Sequence, residues 1–249
     1  MYTTVLISVE IIMMVLATVN CEIPNYIHIC KREDPELSAC IANSVNTLIP
    51  YLKVGIPELD VPPLEPLQLN DVQLKLGSDD AKIATNITNI HVWGASSFQL
   101  LSLRAIVSPN ANTFHFNVNV PRLQLLGQYA IDTKILFLNL KGNGPLEINI
   151  TDYSFNCTMN GHKIEKNDVT YLEFERMECS MNFKNVNVLL KHIFNGNALL
   201  GNTTNTVINQ NVDMFYKEIK PSLVEALGKT FTDIANKITL RFSYDELFP

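Results

Sequence analysis

Between Ile208 and Ile238 apolar residues recur at helical spacing without a break, and this run limits the fold of the chain more than any other feature. Ile208, Val212, Phe215, Ile219, Leu223, Leu227, Phe231, Ile234 and Ile238 follow one another at steps of three or four residues, the spacing that lays side chains on one face of a helix. The other face carries Asn211, Lys217, Glu218, Lys220, Glu225, Lys229 and Asp233. A helix of this length extends about 45 Å, well beyond the ordinary globular helix. Its apolar stripe needs an equally long apolar surface to cover it. Pro221, in mid-run, predicts a bend, because it removes one backbone hydrogen bond.

The chain from Leu67 to about Asn182 supplies that surface, since its apolar period falls to two. Leu67/Leu69 and Val72/Leu74/Leu76 alternate with polar residues, and Phe114/Phe116/Val118/Val120 alternate with His115, Asn117 and Asn119. Shorter runs follow at Leu123–Leu125, Ile131–Phe137, Leu146–Ile150, Tyr153–Met159 and Tyr171–Phe183. Gly77-Ser78-Asp79-Asp80, Ser108-Pro109-Asn110, Gly142-Asn143-Gly144-Pro145 and Asn160-Gly161 separate them as turn signals. Alternating strands joined by hairpins predict one antiparallel meander. The fold class expected is therefore α+β: a long C-terminal helix wrapped by a strongly curved antiparallel sheet.

Upstream, Asp34-Pro35-Glu36 reads as a helix start, with Asp at the N-cap and Pro at the first helical position. Leu37, Ile41, Val45, Leu48 and Leu52 form the stripe, Pro50 kinks or ends the last turn, and Gly55 is the stop. The following segment, Ile56 to Pro66, holds four prolines, which exclude helix and central strand. It reads as a stiff connector whose leucines and valine pack inward. A PxxP ligand at Pro63–Pro66 is the competing reading.

The first residues differ in kind. Val5 to Val19 is apolar except for Ser8, Glu10 and Thr18, which suits a signal-peptide core and is short for a membrane span. Residues 1–21 are expected to be a cleaved signal peptide, with cleavage after Ala17 as the rival site, and residues 22–249 a single domain. Removing Cys21 leaves Cys30, Cys40, Cys157 and Cys179, an even set that suits an oxidising compartment. Sequence order suggests Cys30–Cys40 and Cys157–Cys179, while parity allows three connectivities; four free thiols are the alternative. Asn86, Asn149, Asn156 and Asn202 begin N-glycosylation triplets. With 27 Asn and 29 Ser plus Thr in 249 residues, about three triplets arise by chance, so the four give secretion little support. Asn86, Asn149 and Asn202 are the candidate acceptors, because Asn156 adjoins a cysteine expected to be bridged.

Composition and motifs exclude several function classes. The net charge is −6 and the basic residues are scattered, so neither nucleic acid nor an anionic membrane surface is an expected partner. Gly94-Ala-Ser-Ser-Phe98 misses the nucleophile elbow at its last position, and the sequence holds no HExxH, P-loop or GxGxxG. The five histidines are isolated from other ligand-type residues at metal spacing. No catalytic residue, cofactor or metal is expected, and the chain is not expected to be an enzyme.

Cys30-Lys-Arg-Glu-Asp-Pro-Glu-Leu-Ser-Ala-Cys40, followed by Gly55-Ile-Pro-Glu-Leu-Asp-Val-Pro-Pro-Leu-Glu-Pro-Leu67, resembles the signature of the insect takeout and juvenile-hormone-binding protein family. Asp233-Ile-Ala-Asn-Lys-Ile238 and Tyr244-Asp-Glu-Leu-Phe-Pro249 are similar to that family's C-terminus, and the takeout branch matches better. The resemblance implies one half of a tubular lipid-binding fold, with an internal tunnel for a terpenoid such as juvenile hormone or for a fatty-acid-like ligand. It also implies secretion into haemolymph or a chemosensory or salivary fluid. Cys30–Cys40 corresponds to the family's N-terminal disulfide, and Cys157–Cys179 resembles the second bridge of the hormone-binding branch.

The function expected is a secreted carrier of an elongated hydrophobic molecule, without stable membrane insertion. The alternative is a secreted interaction protein with a protein or receptor partner and a vestigial cavity. Candidate ligand-binding residues are Trp93, Phe98, Phe114, Phe116, Phe137, Phe215, Ile219, Leu223, Leu227 and Phe231. Plain core packing is the competing role for each.

Overall fold

The structure, a computed structural model, describes residues 22–75, 84–109 and 111–249. The expected signal peptide and the Gly77–Asp80 turn lie outside the described residues. In chain order the elements are helix α1 (Leu37–Val54), strands β1 (Leu67–Leu69), β2 (Val72–Lys75), β3 (Ala84–Trp93), β4 (Gln99–Val107), β5 (Asn112–Ile135), β6 (Leu138–Lys166), β7 (Val169–Phe174), β8 (Glu178–Asn182) and β9 (Asn185–Leu190), then helices α2 (Ala198–Gln210), α3 (Val212–Thr239) and α4 (Tyr244–Leu247). The nine strands form one antiparallel sheet that does not close on itself.

The frame of the sheet is the β5–β6 hairpin, paired from Asn112↔Gly161 to Ile135↔Leu138. β4 and then β3 share the other edge of β5, and β1 and β2 lie beside β3. β7, β8 and β9 succeed one another along the free edge of β6. The sequence reading divides β5 and β6 into shorter strands because the apolar parity changes within each. Core-side residues are even-numbered through Val120 and odd-numbered from Leu123; on β6 they are even-numbered through Ile150 and odd-numbered from Tyr153. Pairing skips Pro121 and Asp152, which lie opposite each other, and Asp152 has a φ of 50°. Pro121 has no N–H to offer a ladder, and it falls between the pairing of β4, which reaches Asn119, and that of β3, which begins at Gln124. Both strands turn over there, so the apolar side stays inward through the kink.

Two expected turns are strand interior. Gly142 and Gly144 belong to β6, and the chain after β9 passes directly over them. A Cβ on Gly142 would meet Ile193 Cα at 3.1 Å, and one on Gly144 would collide with the Lys191 carbonyl. These glycines therefore permit a close crossing rather than a reversal. Asn160-Gly161 pairs with β5 on one side, and Gly161 pairs with Phe174 of β7 on the other. The reversal comes at Asn167-Asp168, with φ of 52° and 62°, a two-residue loop with both residues left-handed. The single run expected over Tyr171–Phe183 is two strands, β7 and β8.

The helices differ from expectation in detail. Helix α1 begins at Leu37, and Asp34 caps the preceding turn by accepting from the Glu36 N–H at 2.8 Å. Gly55, at φ 89°, ends the helix as expected, and Pro50 is accommodated inside it. The C-terminal amphipath is two helices broken at Asn211, where φ is −124°, and Pro221 lies inside the continuous α3. α3 packs against β2 on one margin of the sheet and against β7 and β8 on the other, while α2 packs on β9. The sheet is thus a trough whose opening the helices occupy.

Asparagines on these helices pair with strand edges. Asn205 accepts from the Leu190 N–H at 2.9 Å and donates to the Leu190 carbonyl at 3.1 Å. Asn209 does the same to Val188 at 2.7 and 2.8 Å, and Asn236 to Phe174 at 2.7 and 2.9 Å. Four helical residues rise about 6 Å and two strand residues about 6.6 Å, so amides at i and i+4 meet alternate residues of an edge strand. These side chains complete the ladder where a further strand is missing.

The proline-rich connector is pinned in the same manner. Ile56 and Leu59 are buried with Phe242, and the Glu65 carboxylate accepts from the Gly94 N–H, the Ser96 N–H and the Ser96 hydroxyl at 2.9–3.0 Å. Burial pushes this carboxyl upward, but the three hydrogen bonds and nearby Lys53 outweigh that and hold it below the usual carboxylate range. At the other end, buried Tyr244 donates to Asn112 Oδ1 at 2.8 Å, which fixes the C-terminal motif to the start of β5. Both disulfides, Cys30–Cys40 and Cys157–Cys179, are formed, the second between directly paired residues of β6 and β8.

Candidate functional site

A cavity of about 520 Å³ lies between α3 and the sheet, a volume within the range typical of small-molecule sites. One stripe of α3 forms its roof: Val212, Phe215, Tyr216, Ile219, Leu223, Ala226, Leu227 and Phe231. From Val212 to Phe231 this stripe runs about 29 Å, so the space is elongated. The inward residues of β3, β5, β6, β8 and β9 form the floor and walls. Among the described residues the lining contains no Lys, Arg, His, Asp or Glu.

The polar atoms of the lining are few. Tyr129 donates to the Lys191 carbonyl at 2.8 Å, and burial pushes its hydroxyl up to about 12. Tyr153 lies 3.3 Å from Met181 Sδ, and Tyr216 donates to the Met181 carbonyl at 3.2 Å. Burial raises both of these hydroxyls as well, so all three tyrosines stay neutral at physiological pH. Thr85 of β3 is 3% exposed, and its buried hydroxyl has no hydrogen-bond partner among the described residues.

Of the residues singled out from the sequence, Phe98, Phe116, Phe215, Ile219, Leu223, Leu227 and Phe231 share this lining. Three lie elsewhere. Trp93, at the end of β3, is 36% exposed and tilts against His91 on the face opposite buried Val92. Phe137, in the β5–β6 turn, is 54% exposed and meets Phe215 edge-on with centroids 6.2 Å apart. Phe114 packs with Phe174 and Phe248 and lines a second cavity of about 190 Å³ beside α1. Parity within a strand finds the inward side but not how far along it the cavity runs. Sequence reasoning missed Thr85 and the three edge-pairing asparagines. Their signals are a polar residue at an inward position two before Ile87, and the amides Asn205 and Asn209 four residues apart on one face of α2.

His28 lies beside Cys30 and Cys40 with ligand-type atoms within 4.8 Å of one another. The two sulfurs are bonded to each other, which removes them as thiolate ligands. Among the expected glycosylation acceptors, Asn149 and Asn202 are exposed, while Asn86 is half-buried, its buried Oδ1 without a partner among the described residues. No helix among the described residues is long and apolar enough to cross a membrane.

Fold and cavity together define a class: an α+β protein in which a long helix and a curved antiparallel sheet enclose an apolar space. The chain belongs to the haemolymph juvenile hormone binding protein family, whose model matches residues 11–249. It is 25% identical over 245 residues to the circadian clock-controlled protein daywake of Drosophila melanogaster, covering 94% of this chain and 93% of that one. It is 24% identical over 231 residues to the "Putative beta-carotene-binding protein" of Schistocerca gregaria, covering 88% and 86%. Among solved structures, Takeout 1 of Epiphyas postvittana superposes with a TM-score of 0.74 at 18% identity, over 88% of this chain and 98% of that one.

Proposed function

We propose that this protein is a secreted carrier that encloses one elongated hydrophobic molecule, a terpenoid, polyene or fatty-acyl compound, between α3 and the sheet. The observation that carries the reading is the 520 Å³ apolar cavity running under the α3 stripe. An apolar molecule moved from water into such a space gains about 25 cal/mol for each Å² it buries. The β-carotene-binding name of the locust relative fits a long apolar ligand. Two disulfides fit an oxidising compartment, in keeping with residues 1–21 acting as a cleaved signal peptide and residues 22–249 as the mature domain. Exposed Asn149 and Asn202 would then be open to glycosylation.

The test is native mass spectrometry of protein secreted by insect cells and purified without detergent, with N-terminal sequencing of the same sample. The carrier reading expects a co-purified apolar molecule, or uptake of one equivalent from a panel of terpenoids, carotenoids and fatty acyl compounds, on a chain lacking its first residues. No uptake across the panel refutes it.

A further inference from the structure

Trp93 is the only tryptophan of the chain, and it lies on the outer face of the sheet rather than in the cavity lining. Strand pairing sets it in a row across four strands: Trp93 pairs with Gln124, Gln124 with Asn149, and Asn149 with Asn187. In the neighbouring row His91 and Glu147 stand on either side of Leu126, which is 38% exposed. Residues paired across a ladder project to the same face, so the two rows form one platform. Its aromatic end is Trp93, 36% exposed, with the His91 ring tilted against the indole at a centroid distance of 6.0 Å. Its polar groups are amides gathered on one carboxylate. Gln124 Nε2 and Asn149 Nδ2 both donate to Glu147 Oε1, at 3.5 and 3.3 Å, and Lys191 Nζ lies 3.5 Å from Glu147 Oε2. An exposed indole bordered by amides suits a sugar: the C–H face of a pyranose ring lies on the indole, and its hydroxyls bond to the amides.

Asn149 is also the acceptor position of the triplet Asn149-Ile150-Thr151, and it is exposed. Trp93 lies two strand spacings from it, about 10 Å, a distance that a short run of sugar rings spans. We propose that an N-glycan on Asn149 folds back across Gln124 and stacks its core N-acetylglucosamine units on Trp93. The proposal rests on the secreted reading and adds a site on the face of the sheet opposite the cavity. In the secretory pathway Asn149 Nδ2 attacks C1 of an oligosaccharide carried on a lipid pyrophosphate. The Nδ2–C1 bond forms, the C1–O bond to phosphate breaks, the lipid pyrophosphate leaves with the electron pair, and Nδ2 gives up one proton. The hydrogen that remains on Nδ2 keeps the bond to Glu147, which holds the stem of the glycan over the platform.

The test uses the full chain secreted by insect cells, with occupancy at Asn149 read by glycopeptide mass spectrometry. Because the chain has a single tryptophan, acrylamide quenching of indole fluorescence reports on this platform alone. Releasing the glycan from the folded wild-type protein with a peptide N-glycosidase should raise the quenching constant roughly twofold, as part of the indole surface is uncovered. Thr151→Ala, which leaves Asn149 in place and ends the triplet, should give the same increase without enzyme, and Asn202→Gln should give none. An exported chain with a bare Asn149 overturns the proposal, and so does a glycan whose release leaves the quenching unchanged. The wild-type comparison needs no variant to fold. Neither result touches the carrier reading, which ligand uptake tests independently. A chain that insect cells do not export refutes the secreted reading and this proposal with it.

Discussion

Replacing Asn209 with leucine removes the amide that completes the β9 edge while keeping a side chain of similar size on α2. Two hydrogen bonds to Val188 are lost, at 2.7 and 2.8 Å, together with the bond from Asn209 Nδ2 to the Asn205 carbonyl at 2.9 Å. Each bond to Val188 contributes about 0.5–1 kcal/mol net, a half-buried N–H and C=O left facing leucine add about one more, and the better helix propensity of leucine offsets the lost bond to Asn205, giving a loss of about 2–3 kcal/mol. For a chain of this size that lowers Tm by about 4–12 °C. Val188 also lines the cavity, so the same change loosens one margin of the trough. The assay is urea unfolding combined with amide hydrogen exchange. The Val188 N–H should lose protection while amides at the centre of the β5–β6 ladder keep theirs. Asn209→Asp should be no better, because it preserves the acceptor for the Val188 N–H but turns a carboxylate oxygen toward two carbonyls. A stability change under about 0.5 kcal/mol, with Val188 exchanging as slowly as before, refutes the edge-pairing argument.

Glu65→Gln should cost about 1–3 kcal/mol at pH 7 by weakening the clamp on Gly94 and Ser96. Because the folded carboxyl is held low, its stabilisation is present above the unfolded value near 4.3 and fades as pH falls through the folded value, so the gap between wild type and variant in urea titrations should narrow as the pH drops below the unfolded value. Gly144→Ala should destabilise by about 1–3 kcal/mol in thermal melts, since its Cβ would collide with the Lys191 carbonyl. Asp168→Gly should stabilise by about 0.5–1 kcal/mol, because it relieves a left-handed residue in the two-residue β6–β7 loop.

The sequence made the architecture readable because the two periods are long and clean: the α3 stripe and the alternation of β5 and β6 leave few folds that bury both. Strand boundaries were less readable. A parity change in sequence has two physical meanings, a turn or a kink within one strand. Pro121 opposite Asp152 makes it a kink, which only cross-strand pairing reveals. Asn160-Gly161 has ideal hairpin chemistry yet stays in the ladder, because paired strands flank it on both sides. Asn211 breaks the amphipath where Pro221 was expected to bend it. A proline inside a long packed helix loses one bond that tertiary contact offsets, while the Asn211 break lets α2 follow β9 and α3 follow the trough. Phe114 and Phe137 hold places in the alternating runs, yet the cavity lining includes neither of them.

The most direct measurement of the central claim is ligand stoichiometry in the secreted protein with and without Ala226→Trp, which places an indole from the α3 roof into the cavity. The account predicts one equivalent of an elongated apolar ligand in the wild type. In the variant, binding should weaken at least about tenfold while the far-ultraviolet circular dichroism is unchanged. Equal uptake by a folded variant would contradict the account, because the ligand would then lie somewhere other than the space between helix and sheet.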